Sequence, residues 1–218
     1  MSHPRLLDLF SGAGGAAMGY YRAGFRVVGV DHRPQPHYPF EFHQADALEY
    51  LAEHGAEYDA IHASPPCQFV TRASQQWRVA GKVYPNLIPS TREAIRTTGK
   101  LYIIENVMGA PLLAPIMLTG GMFGLRVKRD RLFETNFRVA PIPQPKQQGP
   151  AVKMGRPFDA RGGGSFYPVG HFSGVAEARE AMGIGWMTGA ELTQAIPPAY
   201  TEYIGRQLLE AVRKEREV

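Results

Sequence analysis

Cysteine is nearly absent from this chain: Cys67 stands alone in 218 residues. A single thiol excludes an intramolecular disulfide framework and suits a reducing compartment. Long apolar runs are also missing, and no signal peptide or membrane-spanning stretch can be traced, so the expected location is cytoplasmic. No metal and no membrane partner are expected. No Pro/Gly-rich linker separates two periodic halves, which predicts one domain with a small insertion. A strong net charge is lacking too, at +4 overall. The charge is uneven, however: residues 126–161 hold nine Lys/Arg against three Asp/Glu, whereas residues 1–125 balance at ten and ten. A clustered basic stretch fits a polyanionic partner better than diffuse basicity does, a solvated basic face being the alternative.

What is present begins with an apolar run, Leu6 to Phe10, that ends in Ser11-Gly12-Ala13-Gly14-Gly15. The spacing predicts a helix over Ala16–Arg22 with Gly24 as its stop, then a second strand over Arg26–Val30 with Asp31 at its carboxyl end. This is the opening of a doubly wound sheet, where glycines let a ligand approach the backbone and an acid at the second strand's end can bond ribose hydroxyls. After a Pro-rich loop, Asp46 stands before a predicted helix, Ala47–His54, and reads as its N-cap. Further strands are predicted over Tyr58–His62 and Leu101–Ile104, with a helix over Ser90–Thr98 between them. Arg126–Phe137 reads as a strand near an edge, Val139–Val175 as loop, and the three-four spacing from Tyr200 to Val212 as a closing helix.

Two of these strands deliver chemistry to one rim. Ser64-Pro65-Pro66-Cys67-Gln68 follows the first, and two prolines before a cysteine fix the backbone rather than bury the thiol. A buried, inert Cys67 is the alternative. Glu105-Asn106 follows the second, so a thiol and a carboxylic acid end neighbouring segments, as acid-assisted nucleophilic addition requires. Between them, Phe69–Pro89 lacks periodicity and reads as a loop that closes over a substrate or as a plain surface excursion.

These residues resemble the C5-cytosine DNA methyltransferase family, in its compact bacterial or phage form. Asp8 to Gly15 is similar to that family's first motif, Pro65-Pro66-Cys67-Gln68 to its catalytic motif and Glu105-Asn106-Val107 to its sixth. Arg129-Asp130-Arg131 resembles the eighth, with Val127 where a glutamine is usual, and Ala195 to Gly205 resembles the tenth. The resemblance implies an α/β Rossmann-like fold with a mostly parallel sheet, S-adenosylmethionine as cofactor (S-adenosylhomocysteine as product) and double-stranded DNA as partner. It also implies a catalytic domain of residues 1–138 and 176–218 and a minimal target-recognition insertion of residues 139–175.

By that resemblance Cys67 adds to carbon 6 of a flipped-out cytosine, Glu105 serves N3 and the exocyclic amine, and Arg131 with Arg129 holds O2 and keeps the thiolate charged. Phe10 lies against the adenine, and Gly12 and Gly14 leave room for the methionine moiety. Asp31, where the family usually has glutamate, binds the ribose, and Asp46 accepts from the adenine amine. Ser11, Ala47 and Pro65 complete the implied cofactor set. Gln75 is a candidate to fill the gap in the stack, as is Trp77, while Lys146, Lys153, Arg156 and Arg161 are expected to grip phosphates. Three other readings compete: a dinucleotide oxidoreductase using the Gly12 turn, a tRNA cytosine-5 methyltransferase, and a catalytically silent DNA-binding relative.

Overall fold

The structure, a computed structural model, describes residues 3–70, 75, 79–145, 151–153, 165–167, 172 and 174–216. Seven strands form one sheet: β1 (Arg5–Leu9), β2 (Arg26–Asp31), β3 (Glu41–Gln44), β4 (Ala60–Ala63), β5 (Leu101–Asn106), β6 (Ile116–Leu118) and β7 (Arg131–Thr135). Their order is β3-β2-β1-β4-β5-β7-β6, with β7 antiparallel to both of its neighbours and the first five strands parallel. Of the parallel strands, β1, β2, β4 and β5 are buried on both faces, which is why their sequences read as nearly continuous apolar runs.

Alternation sorts those runs into two cores. Leu6, Val27, Ala60 and Ile103 point to helices α1 (Gly15–Ala23) and α6 (Pro198–Arg216); Leu7, Val28, Ile61 and Ile104 point to α2 (Ala47–His54) and α3 (Ile88–Thr97). Glycine sets the approach of α1 to α6: a Cβ at Gly19 would overlap Thr201 Oγ1 and the Pro198 carbonyl. Thr201 Oγ1 donates to the Ala16 carbonyl at 2.8 Å across this seam. A third, smaller core joins Ala13, Val127 and Ala195 to α4 (Val175–Met182) and α5 (Gly189–Leu192) beside the sheet's carboxyl rim.

The predicted strands and helices are present, with differences at the margins. The Pro-rich loop before Asp46 contains β3, a half-exposed edge strand that the sequence pattern does not distinguish from loop. The seventh strand begins at Arg131 rather than Arg126, and the three-residue β6, too short to show a period, covers its outer side. Residues 139–175, expected to be loop throughout, contain a separate two-stranded parallel sheet of β8 (Ala151–Lys153) and β9 (Ser165–Tyr167). No described helix is long and apolar enough to cross a membrane.

Candidate active site

In a parallel sheet the ligand crevice opens at the carboxyl ends of the strands. Here those ends carry Phe10 to Gly12 after β1, Asp31 at the end of β2, Ser64 to Cys67 after β4 and Glu105 near the end of β5. Because β7 runs the other way, its beginning rather than its end reaches the same rim, and that beginning is Arg131. A parallel seventh strand would put Arg131 on the opposite side of the molecule.

The first turn is built for close approach. Gly12 has φ +50° and open space where a Cβ would stand, and Phe10 adopts a left-handed φ of 56°, unusual for a residue with a side chain. At Gly14 the protein itself requires a glycine: a Cβ there would lie 2.8 Å from Pro39 Cδ and 3.0 Å from the Tyr38 ring. Trp186, which the sequence reading did not single out, donates from Nε1 to the Ala13 carbonyl at 2.9 Å and braces the turn from outside. Asp31 is buried and closes the turn from within: Oδ2 accepts from the Gly12 N–H at 3.0 Å and Oδ1 from the Arg33 N–H at 3.0 Å. His32 Nδ1 also lies 3.2 Å from Oδ1, while Oδ2 keeps a lone pair for a further donor. Asp46 is the N-cap of α2, its Oδ1 accepting from Leu48 at 2.8 Å and Glu49 at 3.1 Å, with Ala47 buried behind it.

Cys67 is a free, half-buried thiol on the turn after β4. Pro65 is buried, and its carbonyl accepts from Asn106 Nδ2 at 2.8 Å, tying the cysteine's turn to the end of β5. Glu105, 6% exposed, stands on that same strand. Arg131 Nε lies 2.9 Å from Glu105 Oε1, an ion pair in which the N–H is not directed along the contact; Oε1 accepts no hydrogen bond among the described residues. Burial pushes the Glu105 carboxyl up, against the downward pull of Arg131, Ser64 and Arg129.

The thiol corrects an expectation. Burial pushes Cys67 up, and the Glu105 charge adds to it; Arg131 and Arg129 pull down but do not prevail. The resting cysteine is therefore a thiol, and the arginines do not hold it as a thiolate. Arg129 itself is 4% exposed and structurally committed: Nε donates to the Ala195 carbonyl at 3.0 Å and Nη2 to the Thr193 carbonyl at 2.6 Å. Burial draws its pKa down to about 9, so it stays charged near neutrality and clamps the segment before α6 to the start of β7.

Behind the rim runs a buried polar stripe that sequence reading missed, comprising Asp8, His62, Tyr20 and Tyr38. Its signal was a polar residue inside an otherwise apolar strand, Asp8 in β1 and His62 in β4. Of the expected DNA contacts, Gln75 is exposed. Lys146, Arg156 and Arg161 lie outside the described residues, as does Trp77, and Lys153 is placed only as the last residue of β8. Among the described residues there is no metal-holding cluster of His, Cys, Asp and Glu.

Solved structures share this fold. A protein assigned as a DNA modification methyltransferase encoded within an E. coli prophage superposes with a TM-score of 0.65 at 15% identity, covering 97% of this chain and 99% of that one. The Schizosaccharomyces pombe Dnmt2 methyltransferase gives 0.59 at 15% identity, with the same coverage of 97% and 99%. The chain has a methyltransferase fold. The Entamoeba histolytica methyltransferase EhMeth shares it, with a TM-score of 0.58 at 13% identity over 97% of this chain and 99% of its own. In sequence, the type II methyltransferase M.FnuDI of Fusobacterium nucleatum is 29% identical over 115 residues, 48% of this chain and 33% of that protein. The similarity thus spans about a third of that curated relative's length. No protein-family model matches the sequence.

Proposed function

We propose that this chain is an S-adenosylmethionine-dependent DNA methyltransferase acting on carbon 5 of cytosine. The observation that carries the reading is the meeting at one rim of Cys67 and Glu105, with Glu105 Oε1 buried and accepting no hydrogen bond among the described residues. The exocyclic amine of cytosine brings a donor to this carboxyl group, and N3, an acceptor, takes a hydrogen bond or proton from it. A dinucleotide oxidoreductase leaves both groups without a joint role. The names of the relatives, methyltransferases throughout, point the same way.

The open space at Gly12 and the inward-facing carboxylate of Asp31 suit the cofactor. Phe10, Ser11, Gly12, Asp31, Asp46, Ala47 and Pro65 are the residues that would hold it. When bound, S-adenosylmethionine supplies an electrophilic methyl group on sulfonium. Carbon 5 of cytosine is too weak a nucleophile to take that methyl unaided. Cys67, once it has lost its proton, forms a bond from Sγ to carbon 6, and the displaced π electrons move toward N3. Glu105 supplies a proton or strong hydrogen bond there, a contribution of ~10²–10⁴-fold for a positioned acid. Arg131 keeps Glu105 in place and faces O2. Loss of the carbon 5 proton and breaking of the Sγ–C6 bond then restore the ring. The base must leave the duplex to reach Cys67, at an unstacking cost of a few kcal/mol. In this reading residues 1–138 and 176–218 catalyse and residues 139–175 meet the DNA.

The test is methylation of unmethylated duplex DNA with labelled S-adenosylmethionine, followed by nucleoside mass spectrometry, with tRNA as a parallel substrate. The expected product is 5-methylcytosine in DNA, abolished by Cys67→Ala. Label on an exocyclic amine, or transfer to tRNA in preference to DNA, overturns the proposal.

A further inference from the structure

Strand alternation places Asp8, His62, Ser64 and Glu105 on the sheet face covered by α1. The register pairs Asp8 with His62, and Ala63 with Ile104, so Ser64 follows beside Glu105. His62 is fully buried between two hydroxyls: Tyr20 Oη lies 2.9 Å from Nδ1 and Ser64 Oγ 2.9 Å from Nε2. Burial pushes the imidazole pKa down to about 3, so near neutrality the ring is uncharged, with one nitrogen donating and the other accepting.

The neighbours decide which. The Tyr20 hydroxyl is buried, and among the described residues His62 is the hydrogen-bond partner it has. Tyr20 therefore donates to Nδ1, which leaves the ring proton on Nε2, and Nε2–H donates to Ser64 Oγ. Asp8 Oδ1 stands 3.9 Å from Nε2, beyond hydrogen-bond reach, and does not compete. Ser64 Oγ, already accepting, turns its own proton outward to Glu105, on which it acts as a hydrogen-bonding neighbour.

We propose that His62 is a positioning residue: by donating to Ser64 it turns the Ser64 hydroxyl onto the Glu105 carboxyl group, which then meets the N3 edge of the flipped cytosine in a fixed orientation. The inference rests on the cytosine-5 reading above. Other groups facing this unit are Asp8 of β1, Tyr38 donating to Asp8 at 3.4 Å, Arg131 of β7 and the buried Arg129. None of them offers Ser64 a donor in place of His62.

Duplex DNA carrying 5-fluorocytosine tests this, with S-adenosylmethionine present, because fluorine at carbon 5 cannot leave as a proton and the Cys67 adduct persists. The plateau of adduct counts competent sites, and the rate reads the acid. Ser64→Ala and His62→Phe are expected to reach the wild-type plateau at a rate lower by roughly ten- to a hundredfold. Ser64→Thr, which restores a hydroxyl, is expected to recover most of the rate. The double variant should be no slower than the slower single one, because both changes break the same path. A wild-type rate in Ser64→Ala, or multiplicative losses in the double variant, overturns the inference while leaving the cytosine reading intact. If His62→Phe fails to fold, the Ser64→Ala and Ser64→Thr pair decides. No adduct with the wild-type protein overturns the cytosine reading itself, and this inference with it.

Discussion

The side-chain amide of Asn106 donates to the Pro65 carbonyl at 2.8 Å, so the strand bearing Glu105 fixes the turn bearing Cys67. Its Oδ1 meanwhile accepts from the Val107 N–H at 2.9 Å, which holds the amide plane. The Glu105 carboxyl and the Cys67 thiol are thereby placed relative to each other by one buried residue. Asn106→Ala should cost about 1–3 kcal/mol of stability, the range for a buried carbonyl left unpaired, measured by urea unfolding. The rate of methyl transfer should fall by more than the stability loss explains, because misplacement by about 1 Å can cost about a hundredfold.

Cys67 offers a direct view of the site's electrostatics, since alkylation by iodoacetamide reports one thiol only. Burial and the Glu105 charge push that thiol up, while Arg131 pulls it down. The alkylation rate should rise with pH to a midpoint above that of an exposed cysteine. Glu105→Gln removes an upward push and should lower the midpoint; Arg131→Gln removes a downward pull and should raise it. Equal midpoints in all three proteins would mean that the thiol does not share a site with these charges.

Asp31 ties the end of β2 to the Gly12 turn and faces the proposed cofactor. Asp31→Ala should weaken S-adenosylmethionine binding, measured by calorimetry, by roughly ten- to a hundredfold, the loss expected for charge-assisted hydrogen bonds. Unchanged affinity would remove Asp31 from the cofactor set.

Away from the site, Arg92 grips the buried Glu134 with two bonds, Nε to Oε1 at 2.7 Å and Nη2 to Oε2 at 2.8 Å. Leu113 N–H also donates to Oε2 at 2.8 Å. Burial alone would push the Glu134 carboxyl up, but these donors outweigh it and hold the carboxyl below its usual value. A lowered folded-state value means that the stabilisation is complete above the unfolded carboxylate range and is lost as pH falls through the folded one. Arg92→Ala should therefore cost about 3–5 kcal/mol at pH 7, the usual loss when a buried ion pair is broken from one side. The gap to wild type should narrow below about pH 4, where Glu134 takes up a proton. Urea unfolding at the two pH values measures it.

Much of the fold could be read in advance because buried parallel strands are written as apolar runs, and β1, β2, β4 and β5 are such runs. The groups at their ends, Cys67, Glu105 and Asp31, were legible for the same reason: a strand's end is a local fact. The edge strand β3 and the three-residue β6 were not, since Glu41–Gln44 is partly exposed and Ile116–Leu118 is shorter than any period. The packing need for glycine at position 14 was not legible either, because the Tyr38 and Pro39 that crowd it arrive from a loop some two dozen residues away.

The order of residues along the chain thus determined which chemical groups reach the rim of the sheet, because strand ends and glycine turns follow from neighbours a few positions apart. Only the tertiary structure decided what state those groups are in. The antiparallel course of β7 brings Arg131 to the rim, burial outweighs two arginines at the Cys67 thiol, and His62 lies where it can steer Ser64. Burial and electrostatic balance are sums over segments distant in sequence, and no local pattern contains them.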